Sequence, residues 1–115
     1  MSRTTESVKN DINTKRCLVK FTATWCGPCK AIHKELIGVC DESELEYIEL
    51  DVDEYPEIAQ NFNVTSIPIM IISFNGKAKK VTGADMGKVR TAIDLLKKES
   101  VPIDALVVPT ATINP

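Results

Sequence analysis

Apolar positions in this chain recur in two alternating rhythms. Consecutive apolar and β-branched residues at 17–22 read as a buried strand, and residues 45–51 and 69–73 read the same way. Elsewhere the spacing widens to that of helices. Residues 7–15 form a polar opening of modest helical character, and residues 28–40 place Ile32, Leu36, Ile37 and Cys40 near one helical face. Pro56 opens a short helix carrying Ile58 and Ala59, because proline is tolerated in a first turn. Asn75-Gly76 signals a tight hairpin into a fourth strand at 77–82. Asp85 can cap a last helix running to about residue 98, with Val89, Ile93 and Leu96 at helical spacing and Lys97-Lys98 at the end the helix dipole favours. Strands alternating with helices predict an α/β fold, a sheet with helices on both faces.

The 115 residues, 43% of them hydrophobic, suffice for one compact domain, taken as residues 1–100 with a C-terminal extension at 101–115. Lys and Arg number 14 against 16 Asp and Glu, so the chain lacks the basic excess that nucleic-acid binding draws on. Met1-Ser2-Arg3-Thr4-Thr5-Glu6 lacks the apolar core of a signal peptide, and no apolar run approaches the length of a bilayer span. A reducing, cytoplasmic setting without membrane attachment is the expectation.

Cysteines stand at 17, 26, 29 and 40. A zinc site would want a second close pair, whereas Cys17 and Cys40 are isolated and the one histidine, His33, lies on the helix that begins at the close pair; no metal is expected. In Trp25-Cys26-Gly27-Pro28-Cys29 the two thiols lie two residues apart after a strand and before a helix. That spacing suits a reversible disulfide, and backbone N–H groups at the helix start favour a thiolate at Cys26. A purely structural disulfide would gain little from so small a loop.

Ala23-Thr24-Trp25-Cys26-Gly27-Pro28-Cys29-Lys30, Asp51-Val52-Asp53, Ser66-Ile67-Pro68, and Asn75-Gly76 followed by Gly83 give the chain a family resemblance. From about residue 17 to residue 98 it resembles a thioredoxin. The resemblance implies the thioredoxin fold, a central mixed sheet flanked by helices, and thiol–disulfide exchange with disulfide-containing protein substrates. Cys26 would attack as a thiolate and Cys29 would resolve the mixed disulfide. Pro28 would stiffen the loop and Gly27 let backbone approach. Ile67-Pro68 resembles the family's cis-proline loop, and Trp25, Gly27, Pro28, Ile67, Pro68, Gly83 and Ala84 would surround the substrate groove. Left to themselves, Gly83 reads as a turn glycine and Trp25 as a partly buried packing aromatic. The implied role is a monomeric disulfide reductase without a bound cofactor, recycled by a thioredoxin reductase. The alternative is a binding or assembly module whose dithiol acts as a redox-sensitive clasp.

The departures from the family pattern carry their own expectations. Many thioredoxins have a buried aspartate at the position of Lys20 and a partner lysine at that of Glu49, so the expectation is either a charge-swapped Lys20–Glu49 pair beneath the motif, with Glu49 available for proton transfer, or a Lys20 that snorkels to solvent and takes no part in catalysis. Lys34 stands where a kink-forming proline is usual, which predicts a straighter helix. His33 is expected to be a solvated surface residue, Cys40 a small core residue and Cys17 an inward-facing strand residue. Sixteen residues before the first strand leave little room for the extra edge strand of many thioredoxins, which is expected to be missing or very short. Leu106-Val107-Val108, in the extension, is apolar enough to cover a sheet edge or pair with another copy, although a frayed tail is the default.

Overall fold

The first helix of the computed structural model, which describes residues 3–99, begins at a reciprocal cap. The Thr4 hydroxyl accepts from the Ser7 amide and the Ser7 hydroxyl from the Thr4 amide, each at 3.0 Å, satisfying donors that a helix start leaves unpaired. That helix, α1 (Thr5–Thr14), leads into β1 (Arg16–Thr22), the central strand on which the site is built. Parallel to β1 runs β2 (Glu46–Asp51), and antiparallel to its other side runs β3 (Ile69–Phe74). β4 (Lys77–Thr82) completes the order β2-β1-β3-β4. Asn75 and Gly76, with φ of 55° and 105°, supply the left-handed turn between β3 and β4. The segment before β1 is helical, so among the described residues the sheet has no earlier edge strand.

Alternation along β1 sorts its side chains into two layers. Cys17, Val19 and Phe21 pack with Val8 and Ile12 of α1 and Ile58 of α4 (Pro56–Asn61). Leu18 faces the other way and packs with Leu36 and Val39 of α3 (His33–Ser43) and with Ile93 and Leu96 of α5 (Met86–Glu99). Asp85 caps α5 as expected, its Oδ1 accepting from the Lys88 amide at 3.0 Å. Cys17 and Cys40 are both buried.

The single straight helix expected over residues 28–40 is instead two. α2 (Gly27–Ala31) and α3 meet at Ile32, whose φ of −98° and ψ of 0° leave the helical basin. Lys34 removes no hydrogen bond, so the absence of proline does not decide the geometry. Lys20 Nζ donates to the Cys29 carbonyl at 2.8 Å, taking the acceptor that a continuous helix would pair with the amide of His33. The break also resets the phase of α3: Leu36, Val39, Cys40 and Ser43 face the core, while Ile37 is only half-buried. The extension at 101–115, including Leu106-Val107-Val108, lies outside the described residues. Among those residues, no helix is long and apolar enough to cross a membrane.

Candidate active site

Beyond β1 the backbone turns sharply, with the Cys26 amide donating to the Ala23 carbonyl at 3.1 Å, and Cys26 becomes the N-cap of α2. Its Sγ accepts from the Cys29 amide at 3.2 Å, and its carbonyl accepts from Lys30 at 3.2 Å. Pro28 sits in the first turn, where no intrahelical N–H is required. Cys26 and Cys29 are joined as a disulfide with Cα atoms 5.3 Å apart. Cys29 is wholly buried, and the pair packs among Ala23, Val52 and Ile67. A side chain at Gly27 would meet nothing within 4 Å, so the space beside the disulfide is open to a partner rather than filled by this chain.

Val52 and Ile67, which pack against the disulfide, also line a cavity of about 350 Å³ together with Trp25, Val64 and Ser66. Trp25 is 67% exposed, not partly buried, and its indole Nε1 donates to Asp53 at 2.7 Å. The Ile67–Pro68 peptide is cis. Gly83 joins this end of the molecule because its amide donates to the Pro68 carbonyl at 2.9 Å, and its φ of +92° is a conformation that favours glycine. Ala84 follows it, exposed. Trp25, Ile67, Pro68 and Gly83 are thus gathered beside Cys26.

A polar cavity of about 430 Å³ is lined by Lys20, Thr22, Lys30, His33, Glu49 and Asp51. Lys20 is 1% exposed. Burial pulls its ammonium pKa down and the Glu49 carboxylate opposes that shift. Lys20 and Glu49 are register partners on adjacent strands, but they form no direct pair of the expected kind. The ammonium reaches up to the Cys29 carbonyl, whereas Glu49, on the edge strand, turns outward. Glu49 Oε1 accepts from the Tyr47 hydroxyl at 2.6 Å and lies 3.4 Å from His33 Nδ1. Burial, then the bond to Glu49, raises the Tyr47 pKa. His33 is exposed at the surface, as expected, and in addition sets its ring edge-on to that of Tyr47.

Sequence reasoning did not single out Tyr47, and it named Asp53 only within a motif, without a role. Tyr47 lies two residues from Glu49 on one strand face, a readable signal, while Asp53 needed the fold to bring it to Trp25. Burial drives the Cys17 and Cys40 thiols up to about 11 and about 12, and neither reaches the disulfide. Among the described residues, no group of His, Cys, Asp and Glu converges to hold a metal ion. A cysteine pair joined at a helix start has the chemistry for thiol–disulfide exchange.

The family model "Thioredoxin" matches residues 1–95. Thioredoxin H2 of Arabidopsis thaliana is 32% identical over 87 residues, which cover 74% of this chain and 65% of that relative. A bifunctional thioredoxin reductase/thioredoxin of Mycobacterium leprae is 43% identical over 86 residues, covering 72% of this chain but 19% of its own length. The crystal structure of thioredoxin from Trypanosoma brucei brucei superposes with a TM-score of 0.75 at 29% identity, covering 84% of this chain and 88% of that one. With its site and its sheet in agreement, the chain belongs to the thioredoxin family.

Proposed function

We propose that the protein is a thiol–disulfide oxidoreductase that reduces disulfides in other proteins through Cys26 and Cys29. The observation that carries this reading is the Cys26–Cys29 disulfide at the start of α2, with Cys26 as the N-cap and the exposed Trp25 beside it. In the reduced protein the Cys26 thiolate attacks one sulfur of a substrate disulfide. That S–S bond breaks, a bond from Cys26 to the substrate forms, and the other substrate sulfur leaves as a thiolate. Cys29, once deprotonated, attacks Cys26 Sγ; the mixed disulfide breaks, the Cys26–Cys29 bond forms, and the second substrate thiolate departs and takes up a proton. Two electrons pass to the substrate.

Trp25, Gly27, Pro28, Ile67, Pro68, Gly83 and Ala84 hold the substrate segment, with Lys20 and Glu49 modulating the sulfurs from beneath. Both sulfurs and the groove come from one copy, which supports action as a monomer. Free thiols at Cys17 and Cys40 fit a reducing compartment such as the cytoplasm. The relative that carries both a thioredoxin reductase and a thioredoxin supports a thioredoxin reductase as electron donor. In an insulin-reduction assay with dithiothreitol, the wild type is expected to turn over, and Cys29→Ser to accumulate a covalent adduct through Cys26 visible by mass spectrometry. A folded, fully reduced wild type without turnover would overturn the proposal in favour of partner capture.

A further inference from the structure

Lys20 is an ionisable side chain buried in the sheet, directly beneath the dithiol. Its neighbours on β1 and β3, Leu18 and Met70, are apolar, and its hydrogen bond goes to the carbonyl of the resolving cysteine itself. A buried ammonium is costly unless a negative group offsets it. Glu49 acts from the adjacent strand, but its carboxylate is engaged with Tyr47 and His33. A Cys29 thiolate would form in the same residue whose carbonyl holds the ammonium at 2.8 Å, and so offers it a second negative group.

We infer that Lys20 is a positioning residue that supplies a fixed positive charge to the Cys29 thiolate during resolution of the mixed disulfide. The inference rests on the dithiol reading above and adds an account of how a thiol shut away from water ionises. Cys29 gives up its proton to the substrate thiolate released in the first exchange, and until the new S–S bond forms the negative sulfur is stabilised by the ammonium; the second substrate thiolate, displaced as that bond forms, takes its proton from solvent. The same ammonium occupies the Cys29 carbonyl at the break between α2 and α3.

The test is an absorbance titration of the thiolate near 240 nm in a Cys26→Ser protein. There Cys29 is the remaining thiol of the pair, and Cys17 and Cys40 ionise only at about 11 and about 12. Adding Lys20→Gln keeps a donor for the Cys29 carbonyl and removes the charge; adding Lys20→Arg keeps the charge. An opposite charge within about 4–6 Å shifts a pKa by about one unit or more. Lys20→Gln is therefore expected to leave about tenfold less Cys29 thiolate at a given pH below the midpoint, and Lys20→Arg to titrate like the parent. Glu49, Asp51 and Tyr47 of β2, Lys30 of α2 and His33 of α3 also face this cavity or adjoin it. The titration is repeated with His33→Gln to remove the imidazole from the cavity. A Lys20→Gln protein titrating with the parent would overturn the inference and leave Lys20 a role in backbone support alone. Because the titration needs no substrate, its result is independent of whether the wild type turns over insulin.

Discussion

Replacing Cys26 with serine is expected to leave a folded protein whose turnover of disulfide substrates falls to the background of dithiothreitol alone. The thiolate is the attacking species, and a serine hydroxyl in its place is not ionised near neutral pH. The other sulfurs cannot substitute. Cys29 is closed in by Ala23, Val52 and Ile67, and Cys17 and Cys40 lie in the two core layers with pKa values of about 11 and about 12. At pH 7 such thiols are ionised in only about one molecule in ten thousand or fewer. Alkylation of the reduced, folded protein with iodoacetamide checks the same point. The wild type is expected to take up one label rapidly, at Cys26, and Cys26→Ser none on that timescale; rapid labelling of the variant would show that another sulfur is accessible. The geometry predicts little cost in stability, since the Cys26 side chain makes one hydrogen bond, from the Cys29 amide, that a serine oxygen can also accept.

Phe21→Ala is expected to have the largest effect on stability. Phe21 is fully buried on the α1 and α4 side of β1, its ring centroid 5.8 Å from that of Phe62. Truncating such a ring costs about 3–5 kcal/mol, the lost transfer energy of the ring together with the cavity left behind. Domains of this size are stable by about 5–15 kcal/mol in total. Urea unfolding should show a much lower midpoint with an unchanged slope, because the surface exposed on unfolding is nearly the same. A midpoint close to the wild type would mean that Phe62 and the half-buried residues around it collapse into the space. The neighbouring Lys20 points to the opposite face, so the folded fraction of Phe21→Ala should keep the normal Cys29 titration.

Strands and motif were legible because they depend on local pattern. The apolar run at β1, the Asn75-Gly76 turn and the Asp85 cap each announce themselves within a few residues, and the cysteine spacing carries its chemistry with it. The break at Ile32 was not legible. It coincides with a contact from an ammonium on β1 to the carbonyl of Cys29, and nothing in residues 28–40 encodes that contact. The partners of Glu49 were hidden for a related reason. Register placed Lys20 beside it, as expected from the sequence, but two strand neighbours need not have side chains that meet when one is drawn inward and the other outward. His33 could be assigned to the surface from its helical position, yet its contact with Tyr47 depended on where α3 starts after the break.

The exposed indole beside Cys26 has an optical consequence. Trp25 is the only tryptophan in the chain, so the emission excited at the red edge of protein absorption comes from one place, next to the attacking sulfur. Disulfides quench neighbouring indoles, and opening the Cys26–Cys29 bond should brighten that emission without any label. The oxidation state of the dithiol, and the moment a partner covers Trp25 and displaces its bond to Asp53, can be followed in real time in the unmodified protein.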